Sequence, residues 1–385
     1  MKIKNLKLLL GDFRYWLLFF IINMSGNLCF NYFFPDRVTI IALTLIVTFY
    51  FIIKRGFNHI HILFTCCFVC ILALQAFFLN NYSLQSSIHF LLKIYTGISV
   101  VIIIGNHFID YYKKILLFFC VVSLFCFTLN CLGVVLPFIN ITSTNIDGGR
   151  VLRVSSVLYT QLYSIGHSLT LRNCGPFWEP GAFQGFINLA LFFEILSLRE
   201  KNKLFSINSF VYIITILTTT STGGYVTLFV NIGFLIIKST RMQALTKFIF
   251  LFITIVVCAY LFFNIEFLGE KIANDSSNGT GRLSFNFSNV DFFKLLIGSG
   301  LDPKSFLNSS LISTGSLLML VNYIGVLGAL AYFGILFRYI TNESLFFTII
   351  ICLILMNEPF LTAGPFWWGV PFVWSYYVID VRSHR

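Results

Sequence analysis

Apolar runs long enough to cross the ~30 Å hydrocarbon core of a bilayer recur along the whole chain, each ended by a short polar or charged interruption. The pattern predicts helical spans at roughly 16–34, 38–53, 60–79, 88–105, 115–136, 182–198, 205–220, 225–237, 248–263, 313–337, 345–360 and 366–379. They describe an all-α polytopic membrane protein of about 12 transmembrane helices, with residues 1–385 forming one integral membrane domain. The first run follows Lys2, Lys4, Lys7 and Arg14, as the apolar part of a leader peptide would. No small-residue cleavage site follows before Asn31, so the run reads as a retained helix. Two intervals break the rhythm of short connections, residues 137–181 and residues 264–312. Loops of that length are usually functional or disordered. Both keep aliphatic and aromatic residues, which argues for order.

Composition supports the same reading. Apolar residues make up 57% of the chain and charged residues 11%, against about one quarter in a soluble protein. Lipid replaces the missing polar shell, and 47 phenylalanines suit a surface that faces acyl chains. A net charge of +11 on a soluble chain would suggest nucleic acid as partner. Here the basic residues fall between apolar runs, so no nucleic acid is expected; a basic rim against anionic lipid accounts for the excess. Cys66, Cys67 and Cys70 share one apolar run without a His or Asp on the same turn, and no metal site is expected. Cys131 and Cys174 flank the first long interval, and an oxidising compartment would allow a disulfide between them. Against this, Cys131 falls inside a predicted span.

Seventeen of the 26 Lys and Arg residues fall on one side of the alternating topology and eight on the other, with Lys93 inside a span. The positive-inside rule therefore puts both termini in the cytoplasm and both long loops on the outer side. Seven of the eight outer basic residues are Arg150, Arg153, Arg172, Lys271, Arg282, Lys294 and Lys304, all within the two long loops. Orientation alone gives no reason for them. Lys93 and Glu194 lie within spans, each close enough to an end to snorkel to the interface.

In the first loop, Val151, Val154, Leu158, Leu162, Ile165 and Leu169 recur at spacings of three and four. This predicts an amphipathic helix over 150–169 lying on the membrane surface. Arg153, Thr160, Ser164 and His167 share its other face, with Arg150 close by. Two readings stay open: a solvated face touching lipid phosphates, or a guanidinium cluster that grips a diphosphate.

The most distinctive stretch follows: Arg172-Asn-Cys-Gly175-Pro-Phe-Trp-Glu179-Pro180-Gly181. Pro180 suits the first turn of a helix. Glu179 then sits at the cap, where the helix N-terminus favours an anion. Read structurally, its carboxylate caps the helix or pairs with Arg172; read functionally, it serves at the membrane boundary as a general base or orients a sugar hydroxyl. Trp178 is either an interfacial anchor or a platform for a sugar ring. A Thr/Ser-rich bend, Thr218-Thr-Thr-Ser-Thr-Gly-Gly-Tyr225, lies between two later spans. Gly298-Ser-Gly300 is followed by Gly325-Val-Leu-Gly328 within the next span. Near the end, Glu358-Pro-Phe360 and Gly364-Pro-Phe-Trp367 echo Gly175-Pro-Phe-Trp-Glu-Pro180 as a second aromatic, proline-rich bend.

Taken in order, Arg172, Gly175, Phe177 and Glu179-Pro180 before an apolar span, the Thr/Ser bend and the paired glycine motifs resemble the O-antigen polymerase and O-antigen ligase superfamily over roughly residues 140–335. The resemblance implies a membrane-embedded C-class glycosyltransferase fold in a bacterial inner membrane, with both long loops periplasmic. It implies a polyprenyl-diphosphate-linked oligosaccharide as donor, no cofactor, and a chain-length regulator and a flippase as partners. By the same resemblance Arg150, Arg153, Arg172 and Arg282 are candidate diphosphate ligands, Glu179 or His167 a candidate base, and Trp178 a candidate sugar contact. There are departures. Ser313-Thr314-Gly315 stands where many members of the family have a His or Asp, and the Arg-x10-Gly repeat of some polymerases is absent. A ligase acting on a lipid A–core acceptor shares the fold and donor. A lipid-linked oligosaccharide flippase is the alternative of another class, and should show internal repeats and polar groups near the membrane midplane.

The charge pattern is testable directly. A fluorescent protein fused after Arg385 is expected to fold in the cytoplasm, whereas alkaline phosphatase inserted after Ser277 should be active outside. The reverse pair of signals would invert the topology.

Overall fold

A computed structural model gives the fold and describes residues 12–54, 59–79, 82–134, 139–146, 149–165, 171–200, 205–239, 243–250, 292–300, 315–337 and 341–383, with single residues at 136, 203, 252 and 256. Among these residues it is a helical bundle with a small sheet. The helices are α1 (Phe13–Met24), α2 (Leu28–Phe33), α3 (Asp36–Lys54), α4 (His59–Phe78), α5 (Leu84–Ile104) and α6 (Phe108–Cys131) before the sheet. After it come α7 (Pro180–Glu200), α8 (Ile207–Thr218), α9 (Thr222–Lys238), α10 (Phe292–Ile297), α11 (Ser316–Phe337), α12 (Asn342–Asn357), α13 (Phe360–Ala363) and α14 (Phe366–Ser383). Side-chain oxygens close several N-termini: Asn27 accepts from Phe30 N at 3.0 Å, Ser206 accepts from Ser209 N at 3.1 Å, and Thr341 and Ser344 form a capping box.

Among the described residues, five helical runs are long and apolar enough to cross a membrane: Asp36–Lys54, His61–Phe78, Leu84–Cys131, Pro180–Glu200 and Ser316–Leu336. The third holds two helices, α5 and α6, because a turn of 3-10 helix at Gly105–His107 breaks it. Shorter apolar helices, α1, α8, α9 and most of α12, complete the bundle. The chain is a multi-pass helical membrane protein. At 1.5 Å per residue the 21 residues of α7 reach about 31 Å, the thickness of the hydrocarbon core. Helix α7 is also the centre of the bundle, with 94% of its apolar window buried, whereas α3 and α11 bury 28% of theirs. Phe186, Phe192 and Phe193 carry its packing against α6, α9, α12 and α14.

Eleven of the twelve predicted spans coincide with helix; the one at 248–263 falls largely outside the described residues. Three differ in an instructive way. The span at 16–34 is two helices, because Ser25-Gly26-Asn27 interrupts it and Asn27 caps the second. The span at 115–136 begins earlier, at Phe108, because Asp110, Lys113 and Lys114 are accommodated within its first turns. The span at 345–360 ends at Asn357, where the chain bends before α13.

The predicted surface helix over 150–169 is a correction. Described residues there form strands β2 (Gly149–Ser155) and β3 (Thr160–Ile165), which join β1 (Ile139–Ile146) in an antiparallel sheet of order β1-β2-β3. Arg153 pairs across the ladder with Leu162, and Arg150 with Ile165, so the shared helical face of Arg153, Thr160 and Ser164 does not exist. Local chemistry explains the outcome. Ile139–Ile146 and Gly149–Ser155 are rich in β-branched residues, and Asp147-Gly148 between them is a hairpin signal. The three-and-four spacing of apolar residues was coincidental.

Lys93 and Glu194 do not snorkel either. Each is only 6% exposed. Lys93 Nζ reaches Asp36 Oδ2 at 2.7 Å and donates to Thr362 O at 2.8 Å. Glu194 lies 3.3 Å from Lys113 Nζ and accepts from Ser206 Oγ at 2.7 Å. Pairing inside the bundle removes the need to reach water.

The two glycine motifs meet in one backbone crossing. Gly325 has φ +70° and interrupts α11, and a methyl group there would collide with Leu296 O. Ser299 N donates to Asn322 O at 2.6 Å, and Gln75 Nε2 of α4 donates to both Ile297 O and Tyr323 O at 2.5 Å. Removing that amide leaves two carbonyls without their donor in a buried setting, a loss of about 1–3 kcal/mol. Gln75→Ala and Gly325→Ala are therefore expected to lower the thermal midpoint of the detergent-purified protein. Gly334→Ala, where a methyl group meets nothing within 4 Å, should leave it unchanged or raise it. Equal effects at Gly325 and Gly334 would refute the crossing.

Candidate functional site

Three breaks between the longer helices meet at one end of the bundle: Ser25–Asn27, Cys174–Glu179 and Glu358–Pro365, the last holding the short α13. Trp178 N donates to Gly26 O at 3.2 Å, and Leu28 N to Pro176 O at 3.3 Å. Phe366 N donates to Ser25 Oγ at 2.9 Å. The aromatic rings of the two echoing bends interleave, with Trp178 and Phe360 centred 6.0 Å apart and Phe360 and Trp367 4.5 Å apart. The echo in the sequence thus corresponds to two bends that pack on each other.

Arg172 and Asn173 bind the Thr/Ser bend between α8 and α9. Arg172 Nε donates to Thr220 Oγ1 at 2.9 Å and to Thr219 O at 3.2 Å, while Nη2 donates to Thr220 O at 3.0 Å. Asn173 Nδ2 donates to Thr218 Oγ1 at 3.0 Å, and its own amide N donates to Thr218 O at 3.0 Å. Thr220 has φ +46°, which costs a non-glycine residue about 1–3 kcal/mol unless its surroundings hold it there. Arg172 is what holds it. Burial pulls the Arg172 guanidinium below its ordinary value, opposed by Cys174, Glu179, Tyr225 and Glu358.

Glu179 precedes α7, and its backbone carbonyl accepts from Ala182 N at 3.1 Å and Phe183 N at 3.2 Å. Its carboxylate accepts from Trp178 Nε1 at 3.1 Å. A second carboxylate stands at the same helix end. Glu358, 2% exposed, lies so close to Gly181 that a methyl group there would collide with Glu358 Oε1. That approach is the reason for glycine directly after Pro180. The backbone of Glu358 is fixed too, its carbonyl accepting from Ser316 Oγ at 2.6 Å and Ser316 N at 3.0 Å. At the positive end of a helix the Arg172 guanidinium can face an anion, and the Glu179 or Glu358 carboxylate can accept a proton beside it.

Lys93 ties this region to α3 and α5 through Thr362 O, while His89 Nε2 and Lys93 Nζ share Asp36 Oδ2 at 3.0 and 2.7 Å. Of the residues predicted from sequence, Arg172, Trp178 and Glu179 come together here. Arg150 and Arg153 lie on β2, and the β2–β3 turn reaches the same bends, with Asn27 Nδ2 donating to Val157 O at 2.7 Å and Thr160 N to Gly175 O at 2.6 Å. His167 and Arg282 lie outside the described residues. No disulfide joins Cys131 and Cys174, the first exposed and the second buried. Glu358, Lys93 and Asp36 were missed as site residues. The Glu358-Pro359 echo of Glu179-Pro180 was the signal available for the first, and an intramembrane cation was the signal for the others.

In comparisons with protein-family models, curated proteins and solved structures, nothing matches this chain.

Close packing of Gly181 on the Glu358 carboxylate gives a sharp expectation. Gly181→Ala should destabilise the protein, and Glu358→Ala in the same chain should recover part of that loss, a coupling of about 1 kcal/mol or more in a double-mutant cycle of thermal or denaturant unfolding. Strict additivity would mean that the two groups do not touch.

Proposed function

We propose that this chain is a membrane glycosyltransferase that polymerises lipid-linked oligosaccharide repeat units on the outer face of the bacterial inner membrane. The growing glycan leaves its polyprenyl diphosphate and is joined to a hydroxyl of the next lipid-linked unit. The observation that carries this reading is the gathering of Arg172, Glu179 and Glu358 at the start of α7, against a strained Thr bend and a cage of Trp178, Phe360 and Trp367. Departure of a diphosphate builds negative charge, which a cation and a helix N-terminus stabilise. The attacking hydroxyl must lose a proton, and Glu179, Glu358 or His167 would take it. Trp178 offers a face to a sugar ring. Arg150, Arg153 and Arg282 remain candidate diphosphate ligands on the two long loops.

A ligase acting on a lipid A–core acceptor would use the same donor end, and differs only in what supplies the hydroxyl. One observation favours a transporter. Gln184, Asn188 and Asn231 are fully buried and hydrogen-bonded in a row between α7 and α9, with Asn231 Nδ2 donating to Asn188 Oδ1 at 3.1 Å. Polar groups at that depth are what a lipid-linked oligosaccharide flippase would need. They also serve as interhelical hydrogen bonds, worth roughly 1 kcal/mol each in a bilayer.

Deleting the gene in its host and resolving the surface glycan by chain length separates the three. A polymerase leaves a single repeat unit on its acceptor and no ladder. A ligase leaves long chains on the lipid carrier, and a flippase leaves repeat units stranded on the inner leaflet. In a complemented strain, Arg172→Ala is expected to lower polymerisation about 10²–10³-fold, the size of one lost charge-stabilising donor. Glu179→Gln or Glu358→Gln should lower it by about 10² or more for whichever carboxylate is the base. Full ladders from all three variants at normal membrane abundance would reject the site.

A further inference from the structure

The opposite end of α7 carries a feature that the proposed chemistry does not use. A cavity of about 180 Å³ opens between α6, α7 and α8. Its charged lining is Asp110, Lys113, Lys114 and Glu194, and Leu117 and Leu198 supply apolar walls. Lys113 lies deep, its side chain 12% exposed, 3.3 Å from Glu194 Oε2 and donating to Ser197 Oγ at 2.7 Å. Asp110 is at the mouth, 66% exposed, with Lys113 Nζ no nearer than 3.6 Å. Lys114 forms no ion pair among the described residues and stands 5.9 Å from the centre of the Tyr111 ring.

Two cations and two carboxylates make the cavity neutral overall yet strongly divided. Lys113 is already paired with Glu194 and donates to Ser197 Oγ, so the cavity leaves Lys114 and Asp110 to meet a ligand. It suits a ligand carrying its own separated charges. Asp110 and Lys114 are four residues apart on α6, hence neighbours on one helix face. A phosphate and a primary ammonium joined by two carbons can span that separation. The ammonium would donate to Asp110 and the phosphate would accept from Lys114, with Leu117 and Leu198 continuing into the region of the acyl chains. The cavity has room for several waters, which a headgroup of this size displaces.

We infer that this cavity binds the headgroup of a phosphatidylethanolamine lipid, with Asp110 and Lys114 as its partners and the Lys113–Glu194 pair as its floor. Three phospholipids with identical acyl chains test it on the full-length protein in detergent, with retained lipid counted by native mass spectrometry. Phosphatidylethanolamine should be retained over phosphatidylglycerol, which lacks the ammonium, and over phosphatidylcholine, whose ammonium cannot donate a hydrogen bond. The expected preference is about fivefold, the scale of a partly exposed charge pair. It should fall to parity in Asp110→Asn and in Lys114→Gln, both mouth substitutions that leave the buried Lys113–Glu194 pair intact. Equal retention of the three lipids by the wild-type protein, or an undiminished preference in both variants, would overturn the assignment. Displacement of the lipid by water-soluble phosphoethanolamine at millimolar concentration would support recognition through the headgroup.

Discussion

In a bilayer, a helix that stops short leaves backbone N–H and C=O groups with no water to satisfy them, and the rest of this structure depends on how that is met. The chain breaks helix at Ser25–Asn27, Glu358–Pro365 and Gly298–Gly300, and each break is met by hydrogen-bonding groups from elsewhere in the sequence, Gly26 O by Trp178 N at the first. Ser25 Oγ accepts from Phe366 N, Ser316 Oγ serves both Glu358 O and Leu361 N, and Lys93 Nζ takes Thr362 O. Gln75 spans two carbonyls at the third break. These residues are scattered over the apolar runs, where each would be costly alone. Together they allow irregular backbone to sit inside a bundle.

Because the breaks are stitched to one another, their geometry is shared. The Ser25–Asn27 bend holds the Cys174–Glu179 loop through Gly26 O and Pro176 O. That loop holds the Thr218–Thr220 turn through Arg172 and Asn173. Glu358 closes the circuit against Gly181. A displacement at Ser25–Asn27, Cys174–Glu179 or Glu358–Pro365 would therefore shift the carboxylates at the start of α7. The other end of the bundle is fastened differently, by ion pairs and charge-assisted contacts between connections: Arg199 with Glu343, Tyr377 with Glu200, and Asp12 with Arg14 and Tyr111. There the Arg14 guanidinium holds the Asp12 carboxyl well below the usual carboxylate range.

How much of this could be read from the sequence follows from the kind of signal each element carries. Apolar length is a summed property, so helices α3 to α9 were legible despite boundary shifts of several residues. Breaks within apolar runs were not, because Ser25-Gly26-Asn27 adds only three weakly polar residues to a long average. The sheet was misread because Val151, Val154 and Leu158 fit a helical period by chance, while the Asp147-Gly148 hairpin signal is only two residues long. Of the site, the Arg172–Gly181 stretch was visible since its unusual residues are contiguous. Glu358 was not, because its role arises from contact with Gly181, 177 positions away in the chain. Lys93 was seen, but its partner Asp36 lies on another helix, and without that partner snorkelling was the natural reading.

The two carboxylates at the start of α7 share a division of labour that bears on how chemistry can reside in so constrained a place. In both, the backbone carbonyl does the structural work: Glu179 O closes the first turn of α7, and Glu358 O anchors the start of α11 through Ser316. The backbone of each is thereby fixed through its carbonyl, while the Glu179 carboxylate also accepts from Trp178 Nε1. Arg172 divides its roles in the opposite way, its guanidinium bound to a turn whose strained residue, Thr220, would relax without it. A change at Arg172 therefore mixes structure with chemistry, whereas amide replacements at Glu179 and Glu358 keep every backbone bond and alter only charge and proton affinity. If one of these carboxylates accepts a proton during glycosyl transfer, its amide variant should be a well-folded protein that is slow in the chemical step. A purely architectural role for both would leave the amide variants as active as the parent.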